Sequence, residues 1–84
     1  MSYALAFAPD AKSQWLQLDI RFQEIALDEV EVLASHPSET SNVLTRDIAI
    51  DEAGVRHYLF LRLVIDRSRS TVTVIGLQYL SRPL

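Results

Sequence analysis

Tyr3, Leu5 and Phe7 alternate with Ala4 and Ala6, a period of two that places the large residues on one face of a short first strand. Pro9 and Asp10 end that strand and open a helix, because a proline in the first turn lacks only an N–H that the helix does not use. Between Ala11 and Ser35 there is no Gly or Pro. Trp15, Leu18, Phe22 and Ile25 recur there at steps of three and four, and the stripe continues through Ala26, Val30 and Leu33, the pattern of an amphipathic helix. A second apolar line at Leu16, Ile20 and Leu27 widens it beyond one rod, so the segment is expected to break near Leu18 to Ile20 into two helices packed as a hairpin. The polar run from His36 to Asn42 reads as a loop, with Pro37 biasing His36 out of the helical region.

Beyond that loop the period returns to two. Leu44, Ile48 and Ile50 alternate with Thr45, Asp47 and Ala49 up to the turn signal Asp51-Glu52-Ala53-Gly54. Val55 to Asp66 and Thr71 to Leu80 are then two long antiparallel strands joined by the polar loop Arg67 to Ser70. The order strand, helix, helix, strand, strand, strand describes an α+β domain with the helical hairpin on one face of a small, antiparallel-rich sheet, the first strand pairing with a late one.

The longest apolar run, His57 to Asp66, carries Arg62 at its centre. Strand periodicity resolves the conflict. Val55, His57, Leu59, Leu61, Leu63 and Ile65 share the core face, while Arg56, Tyr58, Phe60, Arg62 and Val64 share the other. The charge therefore stands on a second face that bears aromatic rings and arginines. Which last-strand residues join it depends on the hairpin register. A loop of two or four residues sets Ile75 opposite Arg62 and Tyr79 opposite Tyr58; a loop of three or five sets Gly76 and Gln78 on that face. Gly76 in mid-strand points to a bulge or a close backbone approach. Guanidinium groups pair with phosphate and rings stack on unpaired bases, so the face suits RNA; equally, Arg62 can lie across apolar neighbours or pair with a carboxylate at a protein interface.

A length of 84 residues leaves room for one domain, 1–84, with a narrow stability margin that a partner could add to. The hydrophobic fraction of 49% and charged fraction of 23% are those of a folding chain. No cysteine is present, no secretory signal or membrane-length apolar run is found, and a soluble cytoplasmic protein that does not engage membranes is expected. The net charge of −3 argues against a generic phosphate binder. Charge is unevenly spread: from Asp19 to Glu39 Arg21 stands alone among acidic residues, whereas Arg56, Arg62, Arg67, Arg69 and Arg82 populate the C-terminal third. There is no Gly-rich phosphate loop, nucleophile elbow or metal-ligand spacing, so neither cofactor nor metal is expected. Asp28, Glu29 and Glu31 read as a solvated helix face.

The order of elements, with Phe7-Ala8-Pro9-Asp10-Ala11, Trp15, Leu18, Gln23, Leu33-Ala34-Ser35-His36-Pro37, Arg62-Leu63-Val64-Ile65-Asp66 and Val72-Thr73-Val74-Ile75-Gly76, resembles the RelE/ParE superfamily of toxins from bacterial type II toxin–antitoxin modules, known also for plasmid stabilization. The resemblance covers nearly the whole chain. It implies a toxin neutralised by a cognate antitoxin, acting either as an mRNA interferase that represses translation on the ribosome or, ParE-like, as an inhibitor of DNA gyrase. It also implies that Arg62 is the arginine of the penultimate strand that contacts the RNA backbone. The family's Gly-His-Arg is replaced by Gly76-Leu77-Gln78, which removes an imidazole and a guanidinium, and Tyr79 or Arg82 would stand in for the C-terminal tyrosine or basic group.

Ribonucleolytic cleavage requires a base for the 2′-hydroxyl, stabilisation of charge on the phosphate and a proton for the leaving oxygen. The candidate catalytic residues are Arg62, Arg56 and Tyr79, with Tyr58, Phe60, Gln78 and Arg82 contacting RNA or a partner. The two histidines, His36 and His57, read as structural, which leaves acid and base roles without an imidazole. Three functions remain in view: an mRNA-cleaving toxin, a gyrase inhibitor without catalysis, and an inactive member acting as an interaction module. A homodimer is a further option.

Overall fold

The computed structural model describes residues 3–35 and 42–84. They form β1 (Ala4–Phe7), α1 (Pro9–Gln17), α2 (Ile20–Ser35), β2 (Val43–Glu52), β3 (Val55–Asp66) and β4 (Thr71–Pro83), the α+β order read from the sequence. Of the polar loop, His36 to Ser41 lie outside the described residues.

The expected helix break falls at Leu18 and Asp19 and has a local cause. The Asp19 carboxylate accepts the Arg21 N–H at 2.9 Å, and the Asp19 carbonyl accepts the N–H groups of Phe22 and Gln23, so Asp19 caps α2. The Gln23 side-chain amide donates to the carbonyl of Trp15 at 2.7 Å, which also accepts the Leu18 N–H, and to that of Leu18 at 3.3 Å, tying the end of α1 to α2. Pro9 sits in the first turn of α1, as its sequence position predicts.

The sheet runs in the order β1-β4-β3-β2. β1 pairs with β4 in parallel, Ala4 to Thr71 through Phe7 to Val74, and the other two pairings are antiparallel. Both helices pack on one face. Phe22, Ala26, Val30 and Leu33 of α2, spaced four, four and three, meet Leu59, Leu61, Leu63 and Ile65 of β3 and Val72, Val74 and Leu77 of β4 in one core. Trp15 and Phe7 close its end, ring centroids 5.1 Å apart.

Two details depart from the sequence reading. The β2–β3 turn is only Ala53 and Gly54, both with positive φ (53° and 79°), as a two-residue hairpin turn matched to strand twist requires; Asp51 and Glu52 belong to β2. In the β3–β4 hairpin the loop has four residues, and the register that length implies holds only as far as Leu63. Asp66 to Leu63 pair with Thr71 to Val74, and then the register shifts between Leu63 and Arg62, so that Arg62 faces Gly76 and Leu59 faces Tyr79. Ile75 is the extra residue of a bulge. It turns Gly76 and Gln78 toward the Arg62 face and Tyr79 toward the helices, so the expectation that Tyr79 lies opposite Tyr58 is corrected: Leu80 does.

Candidate functional site

The face of the sheet away from the helices is organised in rows across β2, β3 and β4. Thr45, Arg62 and Gly76 form one row; Asp47, Phe60 and Gln78 the next; then Ala49, Tyr58 and Leu80; and finally Asp51, Arg56 and Arg82. Alternation along each strand puts these side chains on one surface. Six of the seven predicted site residues, Arg62, Arg56, Tyr58, Phe60, Gln78 and Arg82, are therefore brought together. Tyr79 projects from the opposite face.

Arg62 is exposed and makes no ion pair or side-chain hydrogen bond among the described residues. With Thr45 on one side and Gly76 on the other, no larger side chain in its row covers it. It lines a cleft of about 510 Å³ whose other walls are Phe60 and Gln78, Thr45 and Asp47 of β2, and Asp10 and Gln14 of α1. Tyr58 and Phe60, two residues apart on one strand face, hold their rings nearly parallel at 6° with centroids 6.1 Å apart.

Arg56 stands differently. Its Nε donates to Oδ1 of Asp51 at 2.6 Å and its Nη2 to Oδ2 at 2.9 Å, the two-bond fork of an arginine on a carboxylate. The hydrogen bond from Arg56 holds Asp51 below its ordinary pKa, and Asp51 first, with Tyr58 second, raises that of Arg56. Arg56 is thus committed within its own sheet, whereas Arg62 is available. Arg82, opposite Arg56, has no partner among the described residues.

On the helix side His57 and Tyr79 share a hydrogen bond, Nδ1 to the hydroxyl at 2.7 Å. Both rings pack on that of Phe22, His57 tilted with centroids 4.7 Å apart and Tyr79 stacked at 5.8 Å. The structural role expected for His57 fits this packing; His36 lies outside the described residues. Arg21 bonds Asp19 and Glu52, joining α2 to the end of β2.

The sequence reading missed the carboxylates of the Arg62 face. Asp47, Asp51 and Asp10 went unassigned, although taking Ala53-Gly54 as a two-residue turn pairs Asp51 with Arg56 and Thr45 with Arg62 by counting outward. Asp10 and Gln14 reach the cleft from α1, a tertiary placement with no local signature. Among the described residues no cluster of three metal-ligating side chains occurs, and no helix is long and apolar enough to cross a membrane.

No protein-family model matches the chain, and no curated protein matches it in sequence. Solved structures do. The isolated RelE toxin of E. coli superposes with a TM-score of 0.68 at 21% identity, covering 96% of this chain and 87% of that one. The intact E. coli RelBE toxin–antitoxin complex gives 0.67 at 21%, covering 96% and 100%. The archaeal RelE–RelB complex from Pyrococcus horikoshii OT3 gives 0.60 at 12%, covering 93% and 94%. At these identities the likeness is one of fold, and it covers nearly the whole chain: this chain has the fold of the RelE toxins.

Proposed function

We propose that this protein is the toxin of a type II toxin–antitoxin module, held by a cognate antitoxin in the cytoplasm, and that it represses translation by cleaving mRNA on the ribosome. The first half is supported by structures of the same fold that are RelE toxins, several of them bound to RelB-type antitoxins. The observation that carries the second is Arg62, an unpaired guanidinium in an open cleft beside two stacked rings. A phosphodiester placed there receives two N–H donors from Arg62, and the flanking bases find Tyr58 and Phe60 to stack on. The 2′-oxygen attacks phosphorus as its proton passes to a cleft carboxylate, Asp47 being the one on the row next to Arg62. The bond to the 5′-oxygen breaks, that oxygen takes a proton from water, and a 2′,3′-cyclic phosphate remains. Arg62 opposes the charge that grows on the phosphoryl oxygens.

One observation favours a second reading. Among the described residues no imidazole lines the cleft, and its walls carry Asp10 and Asp47 against the single cation Arg62. A surface of that balance suits docking without chemistry, as a gyrase inhibitor or an interaction module would use it.

Induction of the wild type and of Arg62→Ala in a bacterial host, with growth followed beside maps of mRNA 5′ ends, separates these. Growth arrest with new ends that vanish in the variant supports cleavage. Arrest without new ends moves the target to gyrase, and normal growth with abundant folded protein leaves the interaction module.

A further inference from the structure

We propose that the RNA strand extends beyond Arg62 along a groove that wraps the free edge of β4, where Gln14, Gln17 and Gln78 read base edges and Tyr79 stacks on a flanking base. This rests on the RNA reading above and adds a second subsite to it.

The groove follows from the sheet topology. β1 pairs with β4 only from Thr71 to Val74, so among the described residues the α1-facing edge of β4 has no neighbouring strand beyond the bulge. The Arg62 cleft continues over that edge. Gln14 and Gln78 line both it and a second cleft of about 310 Å³; Gln17 and Tyr79 line both the second and a third of about 290 Å³, which ends against His57 and Phe22. A continuous path thus runs from the open face of the sheet to the helix side.

Its lining is suited to unpaired bases. Gln14 and Gln17, three residues apart, project from one side of α1 and line the groove with Gln78. All three are exposed, and none makes a hydrogen bond among the described residues, unlike Gln23, whose amide is consumed by the helix corner. A free carboxamide offers donors and an acceptor together, as base edges do. At the far end Tyr79 is backed by Phe22 and pinned by His57 yet stays 43% exposed, a fixed ring with a face left for stacking.

Charge limits how the strand is held. Asp10, Asp19 and Asp47 border the groove, and Arg21 is engaged by Asp19 and Glu52, leaving Arg62 as the uncommitted cation along it among the described residues. Binding therefore relies on stacking and amide contacts, with a salt dependence near that of one phosphate contact, a slope of about −0.7.

The test is fluorescence anisotropy with labelled single-stranded RNA of three and six nucleotides. The hexanucleotide is expected to bind about tenfold tighter, Tyr79→Ala to remove that advantage without changing trinucleotide binding, and Arg62→Ala to weaken both. Because Tyr79→Ala uncovers Phe22, the exposed Gln17→Ala, at a residue that lines only the second and third clefts, repeats the test with the core untouched and should weaken the hexanucleotide selectively. Equal affinities for the two lengths, with both lost in Arg62→Ala, would overturn the groove and leave the Arg62 site standing. Loss of antitoxin binding in these variants, with RNA affinity unchanged, would assign the groove to the protein partner. No RNA binding by the wild type would remove the underlying reading as well.

Discussion

Arg62 faces Gly76 across the β3–β4 pair, and the Cβ of Arg62 lies 3.5 Å from where a side chain on residue 76 would begin. The bulge at Ile75 creates this relationship, since the uninterrupted register would have set isoleucine opposite the arginine. The guanidinium consequently rises from the sheet beside an empty position.

That geometry separates two substitutions. A methyl group at 76 meets Arg62 at ordinary contact distance, so Gly76→Ala should change stability by no more than about 1 kcal/mol and leave the proposed growth arrest intact. Gly76→Leu fills the space beside Arg62 and should abolish growth arrest while circular dichroism and thermal unfolding stay near wild type. Arrest by the leucine variant would show that the empty position is dispensable.

Acid should destabilise the protein through three exposed carboxylates. Asp19 and Asp51, bonded by Arg21 and Arg56, and Asp66, bonded chiefly by the Ser68 hydroxyl, are all held below their ordinary value of 3.8. A depressed carboxylate pKa adds stability above the unfolded value, and that contribution is lost as pH falls through the folded one. Denaturant midpoints should be flat from pH 7 to about 5 and decline below about 4. Asp51→Asn should make that decline shallower; an unchanged profile would show that the Asp51–Arg56 pair adds nothing in solution.

Ala53 occupies a left-handed conformation, φ 53°, in the β2–β3 turn. Residues with a Cβ are strained there and asparagine is the best tolerated of them. Ala53→Asn should therefore raise stability by about 0.5–1 kcal/mol, roughly 3–6 °C in Tm for a domain of this size. A lower Tm would contradict the assignment of strain.

Leu61 is 2% exposed and lies one residue from Arg62 on the opposite face. Leu61→Ala should remove about 2–5 kcal/mol, a large share of what so short a chain has available, and unfold it at 37 °C unless an antitoxin is coexpressed. Wild-type stability in the variant alone would mean that the core beneath the site is not what holds it.

Much of this was legible in the sequence. Period two along His57 to Asp66 separates Leu59, Leu61 and Leu63 from Phe60 and Arg62, because an alternating strand has only two faces to offer. The helix break near Leu18 followed from an apolar stripe too wide for one rod, though the Asp19 cap that fixes it has to be seen. What stayed hidden depended on tertiary placement. One inserted residue at Ile75 reverses the faces of Gln78 and Tyr79, and no local pattern fixes whether a mid-strand glycine marks a bulge or a close contact. Asp10 and Gln14 enter the cleft only because α1 packs against β4.

The most direct test of the central claim uses purified ribosomes halted on a defined mRNA, incubated with the wild type or with Arg62→Ala, with 5′ ends mapped afterward. The account predicts new ends within the ribosome-bound codon for the wild type and their loss, by at least a hundredfold, in the variant, about 2.7 kcal/mol of transition-state stabilisation. Intact mRNA with the folded wild type, or equal cleavage by both proteins, would contradict it.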